Sequence, residues 1–357
     1  MIIIGDIASP TEKHSAILTH FFEDNKEVFT KNVICNLEGL ISEDHSVNEK
    51  TPLLFNHPSV VEALIAGNVS VCALANNHTL DIPSYFDTTI ERLKQKQFQV
   101  FGAGSKKNKL EPELVIYEEG QKIILFNYCW DFLLYHQKNP TDGVYVSIIE
   151  EEKLVNRIKA IKTDEPEVKI VVYFHWSFDL EILPFPSYRK FAKELIDAGV
   201  NVIVGCHSHC IQGGELYNEG IIVYGLGNFF IPWNTYVNGE MTYPDFSKQE
   251  LGLEWDLKNN QFYLHWFEMQ GQNLNTKIVY QGKTTIEHSR FEKYAQHYKL
   301  SDHEYLAFFK KNRRKKVLIP VFTEYKGVKY RMNMSLLKTR ARIARTLAKY
   351  KLRKWNN

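Results

Sequence analysis

The sequence predicts an α/β domain built in layers. Three observations lead there: short Ile- and Val-rich runs that are apolar along their whole length, helical segments between several of them, and polar residues gathered where the runs end. Strands without a polar face imply sheets covered on both sides. The chain has 357 residues, 44% of them hydrophobic and 24% charged, which gives a core well above marginal size and the composition of an ordinary globular protein.

In chain order, Met1–Ile4, Val33–Asn36 and Val69–Ala73 read as strands, followed by a helix over Tyr85–Lys96. Lys122–Asn127 and Lys169–Phe174 are the next strands, separated by helical spacing over Ile149–Lys162. Ser187–Ala198 reads as a helix with Ser187 as its N-cap and Gly199 as its stop, and strands at Asn201–Gly205 and Ile221–Gly225 follow. Beyond Gly227-Asn228 the pattern becomes alternating. Gln249–Leu257 and Gln261–Met269 flank Lys258-Asn259-Asn260 as a hairpin expected to complete a sheet edge.

No stretch approaches the ~18 apolar residues of a membrane span, and Met1–Ile4 is too short for a signal-peptide core, so the expected location is cytoplasmic. The five cysteines, Cys35, Cys72, Cys129, Cys206 and Cys210, have no framework spacing and read as reduced, mostly buried thiols.

The chemistry lies at the strand ends. Asp6 follows the first strand, Glu38 the second, Asn77 and His78 the third, His175 the fifth, and His207 and His209 the sixth. Open α/β sheets collect ligands at the carboxyl ends of their strands, so these distant segments can converge. Alone, each histidine reads as a hydrogen-bonded loop residue; together the set offers carboxylates, an amide oxygen and imidazoles to a divalent ion. Two histidines one residue apart can aim at neighbouring points, as two cations ~3.5–4 Å apart and bridged by a carboxylate require. Such a pair acidifies a shared water and neutralises an anionic transition state, while His78 can protonate the departing oxygen. Asp81 can cap a helix start or orient His78, and Asn228 can line the pocket or shape a turn. Cys206 and Cys210 flank the histidine pair, but a Cys-x₃-Cys spacing is not that of a zinc knuckle.

These residues carry a resemblance. "GD" near the start, "NLEG", "ANNHTLD", "FHW", "GCHSHCIQGGELY" and "YGLGNF" occur in order over roughly residues 1 to 270. The pattern resembles the poly-γ-glutamate capsule biosynthesis family called CapA, a branch of the calcineurin-like metallophosphoesterase superfamily. The resemblance implies a four-layer α/β/β/α sandwich. It also implies that Asp6 and His209 serve one metal, that Asn77, His175 and His207 serve the other, that Glu38 bridges and that His78 is the acid. One or two divalent ions are expected, manganese, iron or zinc. Many superfamily members carry Asp-x-His in the first motif and an aspartate in the second; here, as in this branch, Ala8 and Glu38 stand at those positions.

The expected function is that of a CapA-like protein of capsule or exopolymer synthesis, the polymer being polyglutamate or an exopolysaccharide, hydrolysing a phosphoester or related anionic bond in a small molecule or polymer. The alternative is a non-catalytic scaffold that binds metal or polymer in a membrane-associated complex. The expected division is a main domain over 1–285 and a basic, largely helical C-terminal extension over 286–357. From Lys310 onward seventeen Lys and Arg face the single acid Glu324, a charge of +16, so residues 1–309 carry −14 within the total of +2. Over Met334–Trp355, Leu336, Ile343, Leu347 and Tyr350 fall at helical offsets among basic residues. That stretch suits an anionic membrane surface or docking on the acidic main domain, ahead of nucleic acid.

Overall fold

Every residue of the first strand is buried, because it has a sheet neighbour on each side and a layer of side chains on each face. The computed structural model describes residues 1–43, 54–134, 143–236, 241–315 and 319–349. The chain begins with β1 (Ile2–Ile7), α1 (Glu12–Asp24), β2 (Val33–Leu37), α2 (Val60–Ala66), β3 (Val69–Ala73), α3 (Phe86–Gln95) and β4 (Gln99–Phe101). It continues through β5 (Glu113–Glu118), β6 (Gln121–Cys129), α4 (Glu151–Asp164), β7 (Lys169–His175), α5 (Pro186–Asp197), β8 (Val202–Cys206), β9 (Ile211–Tyr217) and β10 (Gly220–Leu226). Last come β11 (Asn228–Phe230), β12 (Gln249–Asp256), β13 (Gln261–Gln270), β14 (Lys277–Thr285), α6 (Ser289–Ala295), α7 (Asp302–Asn312) and α8 (Gly327–Lys349).

The first sheet has the order β14-β13-β12-β1-β2-β3-β4, with β11 also paired to β1, and the second has the order β9-β10-β8-β7-β6-β5. Side chains alternate across each strand, and this sorts them into three cores. Ile3, Ile34 and Val71 of the first sheet meet Leu125, Val171, Tyr173 and Val204 of the second between the sheets. Ile2, Ile4, Val33 and Cys35 face outward onto Leu18 and Phe22 of α1, Leu64 of α2 and Ile90 of α3. Ile170, Val172 and Phe174 face the other way, onto Ile158 of α4, Phe191 and Leu195 of α5, Phe309 of α7 and Leu337 of α8. The layers are therefore α/β/β/α.

Some expectations are corrected. Asp6 lies inside β1 and His175 is the last residue of β7, rather than following their strands. The carboxylate tolerates this position because Asn36 Nδ2 and the His207 N–H donate to it. Helix α5 is not capped by Ser187: Phe185 is the N-cap with no side-chain bond, and Pro186 opens the helix, since its missing N–H costs nothing there. The hairpin β12–β13 is not the sheet edge, because β14 pairs outside β13. All five cysteines are buried and unbridged.

Helix α8 starts at Gly327, before the expected Met334, and residues 350–355 of the expected stretch, including Tyr350, lie outside the described residues. It buries Met334, Leu337 and Ala341, whereas Leu336 and Ile343 are exposed, as are Val328 and Met332. Among the described residues no helix is long and apolar enough to cross a membrane.

Candidate metal centre

The carboxyl ends of β1, β2 and β3 in one sheet meet those of β7 and β8 in the other. Two contacts fix the approach: Tyr173 Oη–H donates to Ile4 O at 2.5 Å, and the His207 N–H donates to Asp6 Oδ2 at 3.1 Å. Asn36, the penultimate residue of β2, holds the other Asp6 oxygen through Nδ2 at 2.7 Å, and its own Oδ1 accepts from Asn76 at 3.2 Å.

Glu38 sits on the turn after β2, its N–H donating to Ile7 O at 2.9 Å. Its carboxylate is fully buried, and neither oxygen accepts a hydrogen bond from any described residue. Around it stand His175 Nε2 at 3.6 Å and His78 Nε2 at 3.8 Å. Asn77 opens a single 3₁₀ turn capped by Asn76, and places Oδ1 2.6 Å from His175 Nε2. His207 and His209 alternate on the turn after β8, with φ of 80° and 53°. These left-handed conformations direct both rings into the same space, their centroids 5.6 Å apart, and His175 lies 4.8 Å from His207. His209 Nδ1 meets Asn228 Oδ1 at 2.6 Å, which as an acceptor places the ring proton on Nδ1 and leaves Nε2 with its lone pair.

All seven residues named from the sequence, Asp6, Glu38, Asn77, His78, His175, His207 and His209, thus meet in one place. Two groups have donor atoms within 4.8 Å of one another: Asp6, Glu38 and His175, and Glu38, His207 and His209. Glu38 belongs to both. These groups put His175 with Asp6 and His207 with His209, while His209 Nδ1 also lies 4.0 Å from Asp6 Oδ2, the pairing the resemblance implies.

The electrostatics favour a cation. Burial drives the Glu38 carboxyl well above the ordinary carboxylate range, with Asp6, Asp179 and Asp81 adding repulsion, and burial likewise raises Asp6. Burial pushes His175 well below the usual imidazole range and His207 down to about 3, against the pull of Asp179. Neutral imidazoles offer lone pairs, and a buried carboxylate without hydrogen-bond donors lacks compensation unless positive charge supplies it. The residues fit a divalent ion.

Sequence reasoning missed Asn36, visible only as a lone amide within the apolar run of β2, and Asp179, four residues beyond His175. Asp81, left open between a cap and a partner for His78, lies 2.6 Å from His78 Nδ1 and also accepts the Leu54 N–H. Cys206 contacts Tyr173 Oη at 3.2 Å, and among the described residues no cysteine joins either donor group.

The profile of the family described as Bacterial capsule synthesis protein PGA_cap matches residues 2–232. The chain belongs to this family. It is similar to the capsule biosynthesis protein CapA of Bacillus anthracis, 28% identical over 174 residues, covering 47% of this chain and 42% of that protein. A probable polyglutamine synthesis accessory protein of Mycobacterium tuberculosis is 26% identical over 217 residues, 55% of this chain and 54% of that protein. The chain spans about half the length of the curated relatives it matches. Among solved structures, a calcineurin-like phosphoesterase of Bacillus subtilis superposes with a TM-score of 0.43 at 13% identity, covering 80% of this chain and 90% of that one. The PGA_cap match takes in the ends of β1, β2, β7 and β8, which carry both donor groups, together with the Asn77-His78 turn after β3.

Proposed function

We propose that this PGA_cap protein is a metal-dependent hydrolase of a phosphoester or related anionic bond, acting in the synthesis of a capsular or other extracellular polymer. The observation that carries this reading is the Glu38 carboxylate: buried, without a hydrogen bond from any described residue, and shared by two groups of potential ligands. Asp6, Glu38 and His175, with Asn77 beside His175, would hold one divalent ion, and Glu38, His207 and His209 a second. When bound, such ions supply positive charge to the substrate's anionic oxygens and acidify water.

The chain's own groups account for the rest. The Asp6 and Glu38 carboxylates and the neutral imidazoles set the charge of the site. His78, held through Nδ1 by Asp81, turns Nε2 toward the cluster and is partly exposed, so it can reach a leaving oxygen. In hydrolysis water's oxygen bonds to phosphorus, the P–O ester bond breaks, and His78 delivers a proton to the departing oxygen. The test is metal content of the purified chain together with turnover on phosphomonoesters and phosphodiesters. Stoichiometric metal and turnover, both lost in His175→Ala and His209→Ala, support the reading; a chain that binds no metal overturns it.

One observation favours a second, non-catalytic reading, a scaffold docked at an anionic membrane. Helix α8 keeps Val328, Met332, Leu336 and Ile343 exposed, and Gly327–Lys349 contains seven Lys and Arg and no acid.

A further inference from the structure

Beyond β7 the chain makes a tight loop in which Ser177 and Leu180 take φ of 80° and 57°. A left-handed conformation is strained for Leu, so the surroundings must impose it. They do: the Leu180 N–H donates to Ser208 O at 2.8 Å, and Gln212 Nε2 donates to Ser177 Oγ at 3.0 Å. Both bonds tie the loop to the His207–His209 turn and its continuation into β9. Between those anchors Asp179 projects one carboxylate oxygen at both imidazoles: Oδ1 lies 3.3 Å from His207 Nε2 and 3.7 Å from His209 Nε2.

We propose that Asp179 is a further protein ligand of the cation held by Glu38, His207 and His209. The proposal rests on the metal reading above and extends it to a residue outside either donor group. Two features argue for it. The Nδ1 proton of His209 is committed to Asn228, so His209 Nε2 turns a lone pair toward the Asp179 oxygen, and two lone pairs at that distance repel unless a cation lies between them. Moreover, the Asp179 side chain is 51% exposed, so burial does not force it against the histidines; the pinned loop does. Chemically, Asp179 adds a second negative charge to a group whose only other anion is Glu38, and Ala8, two residues past Asp6, offers no donor. Two oxygens and two nitrogens make a four-donor set suited to manganese, iron or zinc.

The test is calorimetric titration of the full chain, stripped with a chelator, with manganese(II) and with zinc(II), comparing wild type, Asp179→Asn, Asp179→Glu and His175→Asn. Circular dichroism and melting of the metal-free proteins control for folding. Asp179→Asn is expected to weaken one class of sites at least about tenfold and to leave intact the class lost in His175→Asn, while Asp179→Glu restores part of the affinity. Wild type that binds metal, with Asp179→Asn binding it equally well, overturns the Asp179 assignment and spares the hydrolase reading. Wild type that binds neither ion overturns both.

Discussion

Oδ2 of Asp81 lies 2.6 Å from Nδ1 of His78. The contact fixes the ring with Nε2 toward Glu38, which under the proposed hydrolase reading makes Asp81 the residue that positions the His78 proton. His78→Gln should slow hydrolysis of alkyl phosphoesters by about 10²–10⁴-fold and that of p-nitrophenyl esters far less, because a good leaving group needs no proton. Asp81→Asn should lower kcat by about ten- to a hundredfold with little change in KM. Equal losses on both ester types would remove His78 from the acid role.

In the metal-free protein Glu38 either ionises with no hydrogen bond from any described residue or holds a proton at a cost, because burial drives its carboxyl well above the ordinary carboxylate range. Glu38→Gln should therefore make the metal-free form more stable than wild type, by about 1–3 kcal/mol. The same change should abolish metal-induced stabilisation, which for wild type reaches about 2.7 kcal/mol at a hundredfold excess over Kd. Urea melts with chelator and with manganese(II) measure both effects, and a variant still stabilised by metal would take Glu38 out of the centre.

His297 packs among Tyr298, Tyr305 and Phe308, stacked on the last two, and burial, aided by Arg189, lowers its pKa to about 4. The unfolded chain takes up this proton below about 6.5, the fold only below about 4, so unfolding binds a proton in that window. The stabilising contribution is complete above pH 6.5 and is lost as pH falls toward 4. Partial exposure limits it to the order of 1–2 kcal/mol. His297→Gln should flatten the stability profile between pH 6.5 and 4 relative to wild type in urea melts; a parallel profile contradicts this account.

The α8 stripe can be tested without disturbing the core, because Leu336 and Ile343 are exposed while Met334 and Leu337 are not. Truncation would strip the second sheet of Leu337 and confuse binding with unfolding. Leu336→Glu/Ile343→Glu should stay folded and fail to float with phosphatidylglycerol vesicles that carry wild type upward. Equal flotation of both proteins would remove the stripe from any membrane role.

The sequence made the central strands legible because β1, β2, β7 and β8 are apolar on both faces, a pattern few other structures produce. It hid β14, whose burial alternates at a solvent-facing edge, and α1, although Thr11 caps it and Leu18, Phe21 and Phe22 mark its buried face. The candidate site was legible as a set of residue types at strand ends. How the donors divide into groups was not, because the direction of each imidazole depends on backbone angles such as the φ of His207. Asp179 went unread for a related reason: its place is set by the pinned turn from Ser177 to Leu180, and composition carries no trace of that. The exposed direction of Leu336 and Ile343 was equally hidden, since helical offsets give a stripe but not the side on which the neighbouring sheet lies.

The pairing of Ile3 with Leu253 joins residues 250 positions apart. A nascent chain therefore emerges from the ribosome with its first strand matched to β2 on one side and open on the other until β11 and β12 have been made. Six strands of the second sheet are translated in that interval, and they can assemble before the first sheet closes. Folding should accordingly be slow and dependent on the last third of the chain, and products of premature termination should expose a sticky, Ile-rich edge that chaperones or proteases must clear.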